Sequence, residues 1–256
     1  MNTIVLLGWS ILAVALSGLW LRQLKTKNAT SVDVAWSAGL AFLALLYPWF
    51  GDGDIWRRVL VSALGAVWAF RLAWYLLTDR VLKHTDEDGR YKAMRVELGP
   101  RAPLVFFLFY QGQAAVAVLF SLPMLAAMQG PSLGPFAVLG IVVWIGAVTG
   151  ESIADAQLAR FRADPANKGL ACRDGLWWYS RHPNYFFEWV HWWAYVLIAE
   201  GAALTWLGPV MMLVFLFRIT GIPHTERQAL RSRGDAYRHY QETTSVFFPW
   251  PPKELS

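Results

Sequence analysis

The chain has 256 residues, 56% of them hydrophobic and only 16% charged, with a net charge of +5 and a mean hydropathy of +0.34. Soluble domains are roughly 45–50% apolar and about 25% charged, so this composition argues against an ordinary soluble globule. Fifteen Trp residues suit membrane interfaces, where amphipathic rings settle.

A helix that crosses the hydrocarbon core needs about 20 mainly apolar residues, within a range of roughly 17–25. In chain order such runs fall at 3–21, 32–50, 57–78, 102–128 and 135–158. A shorter pair follows at 186–200 and 202–219, separated by Glu200-Gly201. It reads as two spans or, alternatively, as one re-entrant hairpin. The expectation is an all-α, polytopic integral membrane protein with about seven transmembrane helices in one membrane domain, 1–256. Basic residues orient it. With the N-terminus outside, segments 22–31, 79–101, 159–185 and the tail from Arg218 become cytoplasmic, the C-terminus with them. Those segments hold all but three of the 23 Lys and Arg, the asymmetry that the positive-inside rule describes. The pI near 9.4 then follows from topology together with an anionic ligand, and gives no support to nucleic-acid binding. The first run has no basic n-region and is followed by Arg22, Lys25 and Lys27, so it reads as a retained span and not a signal peptide. The single cysteine, Cys172, excludes an internal disulfide.

Ionisable groups inside spans are costly, and normally face a bundle interior, a cavity or a partner. Asp33 stands at the mouth of the second run and Arg71 within the third. Glu151 and Asp155 close the fifth, and Glu188 and His191 open the sixth. At 100° per residue, Asp155 lies about 40° and Arg162 about 20° from Glu151, so all three share a helix face. A pair that merely steadies the bundle is the plainer reading of any one of them. The loop 161–185, FRADPANKGLACRDGLWWYSRHPNY, is broken by Pro165, Gly169 and Gly175. It combines Arg162, Lys168, Arg173 and Arg181 with the aromatic Trp177, Trp178, Tyr179 and Tyr185. Arg matches phosphate with its planar fork, and aromatic planes stack on a base or nicotinamide ring. The loop thus suits an anionic, aromatic cofactor. No GxGxxG turn, P-loop or HExxH is present, and five His with one Cys argue against a zinc site.

Six pieces of the chain resemble the steroid 5-alpha-reductase superfamily, most closely its bacterial-type membrane branch. They are SVDVAW (31–36), WAFRL (68–72), EDGRY (87–91), ADAQLARF (154–161), GLWWYSRHPNYFFEW (175–189) and the tail GIPHTERQALRSRGDAYRHYQETTSVFFPWPP (221–252). The C-terminal half is also similar to the isoprenylcysteine carboxyl methyltransferases and the sterol reductases. The resemblance implies reduction, with NADPH, of a carbon–carbon double bond conjugated to a ketone in a lipophilic substrate such as a 3-oxo-Δ4-steroid. The N-terminal half would then be mainly substrate cavity, and 150–256 mainly a cofactor pocket opening to the cytoplasm. By motif position, Arg71, Asp79, Arg80, Asp155, Arg162, Arg181, His182, Asn184, Tyr185, His224 and Arg227 would bind the cofactor. Lys168 and Tyr179 in the loop and Tyr237 in the tail join them as candidates.

Glu188 matches the family glutamate near nicotinamide and substrate. Asp33 lies in the region of the glutamate that animal steroid reductases pair with a tyrosine at the substrate ketone, and Trp68 aligns with that tyrosine. Asp33 and Glu188 are therefore the expected acids, with no metal. Phe187 stands where the family usually carries Gly, which would crowd the cofactor or reshape the cavity. Two other functions stay open: an S-adenosylmethionine-dependent methyltransferase of lipid or prenylated substrates, and a non-enzymatic lipid-binding or transport protein. A bacterial inner membrane is expected in preference to endoplasmic reticulum.

Overall fold

The computed structural model describes residues 2–83, 86–219 and 221–253, and every regular element in them is helical. The chain forms two compact units, Met1–Leu133 and Gly134–Ser256.

The first unit holds α1 (Asn2–Thr26), α2 (Ser31–Leu46), α3 (Ile55–Leu76), α4 (Gly89–Leu98) and α5 (Ala102–Met128). Carboxylates start two of them. Asp54 caps α3 by accepting from the backbone N–H groups of Trp56 and Arg57, and Asp88 caps α4 by accepting from Arg90; each satisfies donors that a helix start leaves open. A π-helical turn, Leu77–Leu82, ends the third span. Leu12, Leu40, Leu43, Trp68, Phe106, Tyr110, Phe120 and Met124 are buried in this unit, while Val14, Val67, Phe70 and Leu104 on α1, α3 and α5 are more than half exposed. A helix that is apolar all round, with that much of it uncovered, requires lipid as its solvent.

The second unit holds α6 (Phe136–Ala163), α7 (Leu176–Tyr179), α8 (Pro183–Ile198), α9 (Leu207–Val214), α10 (Ile222–Arg233) and α11 (Asp235–Thr243). α6 and α8 approach closely at glycines. A Cβ on Gly140 would lie 2.9 Å from the Ala194 carbonyl oxygen, and one on Gly150 2.5 Å from the Phe187 ring.

Among the described residues, six helical stretches are long and apolar enough to cross a membrane: Asn2–Thr26, Ser31–Trp49, Ile55–Leu82, Gly89–Met128, Phe136–Ala163 and Ala203–Arg233. The protein is a polytopic membrane protein. The expected sixth run differs from the expectation. α8 has 16 residues, roughly 24 Å at 1.5 Å per residue, against a hydrocarbon core about 30 Å thick. Its start is set by Pro183 in the first turn, and its end by the turn at Glu200, whose φ is +53°.

Candidate functional site

In the first unit, two motifs that are distant in sequence come together. Asp33 lies in the first turn of α2, and its carboxylate accepts three donors. Oδ2 takes Arg80 at 2.8 Å and Arg90 at 2.6 Å, while Oδ1 takes the Tyr91 hydroxyl at 2.5 Å. Arg90 also bridges to its neighbour Asp88 at 3.0 Å. Burial would raise the Asp88 carboxyl pKa, but the hydrogen bonds and charge of Arg90 outweigh it and hold the group below its ordinary value. Behind this network Glu87 accepts from Arg95 at 2.7 Å and from the Ala29 N–H at 2.9 Å, and Thr30 Oγ1 accepts from the Asp88 N–H at 2.8 Å. The EDGRY segment is thus fastened to the loop that precedes SVDVAW.

Tyr91 is buried, with its ring against Phe106 and Phe109 and the Arg90 guanidinium 5.1 Å from its centroid. Asp79 turns instead to Lys83, 3.4 Å away, and Arg71 is half-buried on α3. Trp68, aligned with the family tyrosine, is fully buried. The phenol beside Asp33 comes from α4.

In the second unit the hub is Glu226 on α10. Its carboxylate accepts Arg181 Nε at 2.7 Å and Arg181 Nη2 at 3.3 Å. Gln241 Nε2 donates to it at 2.7 Å, and the Tyr237 hydroxyl at 3.4 Å. His182 Nε2 lies 3.3 Å from the same group. The remaining Arg181 donor, Nη1, goes to the Gln241 and Thr244 carbonyls at 2.9 and 2.6 Å. Arg181 is therefore occupied on every nitrogen by protein oxygens. His182 is 2% exposed, stacked 5.3 Å from Tyr185. Burial lowers its pKa, and Glu226 only partly opposes this.

The α7 turn is held from both sides. The Trp177 indole donates to the Ala154 carbonyl at 2.9 Å, and Tyr240 donates to the Trp177 and Ser180 carbonyls. Gly175 starts the turn at φ +57°, where a Cβ would lie 2.1 Å from the Gln157 amide; only glycine fits both requirements.

Asn184 donates to Asp155 at 3.3 Å, tying α8 to α6, and Glu188 follows one turn later, 9% exposed. Phe187 does not stand in an open cavity. Its ring occupies the space that Gly150 leaves on α6. Tyr185 shares a hydrogen bond of 3.3 Å with Thr225. Arg162, Lys168, His224 and Arg227 are exposed, as is Tyr179 at 45%.

Two partly buried arginines that the motifs do not mark are different. Arg173 lies 5.4 Å from the Trp178 ring and 5.6 Å from the Tyr240 ring, and among the described residues its hydrogen-bond partner is Thr243 Oγ1, at 2.7 Å. Arg233 lies 6.0 Å from the Tyr237 ring, and that ring is 5.8 Å from Tyr240. Arg162 is within electrostatic reach of Arg233. Among the described residues none of these three guanidinium groups has a carboxylate partner. Aromatic faces with uncompensated guanidiniums make a rim suited to an anion. A separate groove of about 360 Å³ beside Gln157, Arg160, Phe161, Asp164, Asn167 and Asp174 carries two carboxylates against one arginine, and suits an anion poorly.

The conserved-family signature described as "Protein of unknown function (DUF1295)" spans residues 19–244. The chain belongs to this DUF1295 family. It is also similar to a Schizosaccharomyces pombe protein described as "Uncharacterized protein C594.04c". The two are 25% identical over 265 residues, covering 90% of this chain and 75% of that one. No solved structure matches. The DUF1295 segment takes in both clusters, from Asp33 to Glu226, and ends at Thr244, just past α11.

Proposed function

We propose that this DUF1295 protein is a membrane reductase that uses NADPH to saturate a carbon–carbon double bond conjugated to a ketone in a lipophilic substrate, in the manner of the steroid 5-alpha-reductases it resembles. The observation that carries this reading is the carboxylate–phenol pair Asp33–Tyr91, flanked by Arg80 and Arg90. Reduction of an enone leaves negative charge on the ketone oxygen, and a preorganised donor at that oxygen is the main electrostatic help a protein can give. Asp33, with three donors on its two oxygens, is an acceptor and not a proton source. Tyr91 donates to Asp33 in this structure, so it takes the acid role by turning that hydroxyl from Asp33 to the ketone oxygen when substrate is bound, with Arg90 beside it to offset the charge. Glu188 remains the candidate acid of the second unit.

The residues present fit an anionic dinucleotide: Arg162, Arg173 and Arg233 would hold its phosphates, and the faces of Tyr237 and Tyr240 line the same rim. When bound, NADPH supplies the hydride. Arg181 and His182 act on the protein instead, holding the turn to α10 through Glu226. An S-adenosylmethionine methyltransferase has no need of three guanidiniums without carboxylate partners.

NADPH binding to detergent-purified protein tests the proposal through quenching of tryptophan emission by the nicotinamide. Saturable quenching unaffected by S-adenosylmethionine is expected, with the Kd raised about tenfold in Arg233→Met, corresponding to the ~1.4 kcal/mol of one charge-assisted contact. With a 3-oxo-Δ4-steroid, Tyr91→Phe should lower kcat by about 10²-fold or more while leaving the NADPH Kd unchanged. Binding of S-adenosylmethionine without NADPH would sink the reading.

A further inference from the structure

We propose that the aromatic patch of Trp178, Tyr179, Phe248 and Trp250 is a contact with the headgroup boundary of the bilayer, through which the membrane steadies the RHPNY turn. These four side chains are 45%, 45%, 59% and 71% exposed. They stand on two segments joined side by side. The Trp250 N–H donates to the Tyr179 carbonyl at 2.9 Å, Ser180 Oγ to the Phe247 carbonyl at 2.9 Å, and the Arg181 N–H to the Ser245 carbonyl at 2.8 Å.

The patch continues the lipid-facing surface of the second unit. Phe248 packs on Phe186 and Trp189 of α8 at 6.1 and 5.9 Å. Its neighbour Phe247 packs at 5.2 Å on Phe217, a ring 37% exposed within the Ala203–Arg233 span. Water is a poor solvent for so much adjoining apolar surface. The hydrocarbon core is excluded too, because the non-helical Pro249-Trp250-Pro251-Pro252 segment has backbone carbonyls that need water. Rings with one polar tip on an irregular backbone belong at the boundary between the two.

Because Cys172 is the sole cysteine and is buried, a Cys172→Ser background accepts single nitroxide labels. Trp250→Cys and Phe248→Cys, labelled and reconstituted in phosphatidylcholine vesicles, are compared with Asp235→Cys, whose native side chain is 93% exposed. Relaxation by oxygen should exceed relaxation by a nickel chelate at 248 and 250, and the reverse should hold at 235. If 248 and 250 behave like 235, the patch lies in water and the proposal fails. If both reagents are excluded and labels on separate chains broaden one another, a second copy covers the patch, and it fails equally. As an independent check, tryptophan emission quenched by lipids brominated near the headgroup should fall in Trp250→Phe; an unchanged quenched fraction also overturns it. The proposal does not rest on the reductase reading.

Discussion

Arg181 and His182 sit in the most specific motif of the chain, yet both side chains face protein partners. Arg181 is partly buried against Glu226 and two carbonyls, so Arg181→Met takes the cationic partner from Glu226, which keeps Gln241 and Tyr237, and takes a donor from both carbonyls. Losing a charged partner in this part-buried setting costs about 1–3 kcal/mol. Chemical or thermal unfolding in detergent should show that loss, while the folded fraction keeps its NADPH affinity. Weakened binding with unchanged stability would return Arg181 to the cofactor.

His182 adds a pH dependence whose sign follows from its direction of shift. Its folded pKa lies below its ordinary 6.5, so between the two values the unfolded chain binds the extra proton and stability falls as pH falls. Melting temperature should drop on acidification from pH 7 toward 5, and His182→Gln should flatten that part of the profile. Asp88 acts in a lower window. Its contribution is present above its ordinary 3.8 and is lost as pH falls toward its depressed folded value. The motif marks Arg181 and His182 as important, but their partner is some 45 residues away in sequence, and no spacing rule connects them.

At the scale of elements, the pairing of α6 with α8 explains the one departure from the resembled family that looked disruptive. Phe187 replaces a small residue, and Gly150 on the facing helix supplies the missing volume. Gly150→Ala should therefore destabilise the protein by about 1–3 kcal/mol through overpacking, and Phe187→Ala in the same chain should recover most of that loss; a neutral Gly150→Ala would mean that the ring moves freely. α4 works likewise across elements. Its ten residues are too polar and short to stand alone, but Arg90 and Tyr91 fasten its first turn to Asp33 at the start of α2, and the Asp88 N–H bonds to Thr30. Alignment placed the phenol at Trp68 because it follows the order of residues. The phenol that neighbours Asp33, Tyr91, stands 23 positions further along the chain.

For the whole molecule, α8 decides the topology. Six stretches meet the length and hydropathy needed to span, and α8 does not. Its polar Glu188 is buried and its Asn184 partly buried in the second unit, and membrane thinning or flanking aromatics accommodate a short span. With α8 as a seventh crossing beside the six candidate spans, the two termini would lie on opposite faces. C-terminal green fluorescent protein should therefore be fluorescent in bacterial cells, and an N-terminal epitope should be reachable from the outside. Termini on the same face would make α8 re-entrant.

Membrane residence, helical class and most span positions were set by the sequence alone, because lipid imposes a local rule: about 20 apolar residues, every backbone group bonded within its own segment. The aromatic, basic character of the loop after α6 is likewise written in the sequence. What the tertiary structure alone decided is which charges are compensated. Arg80, Arg90 and Arg181 meet carboxylates, and Arg173 and Arg233 meet ring faces instead. Charge compensation depends on distance in space, and the chain brings Glu226 to Arg181 and Tyr91 to Asp33 only after its helices have packed.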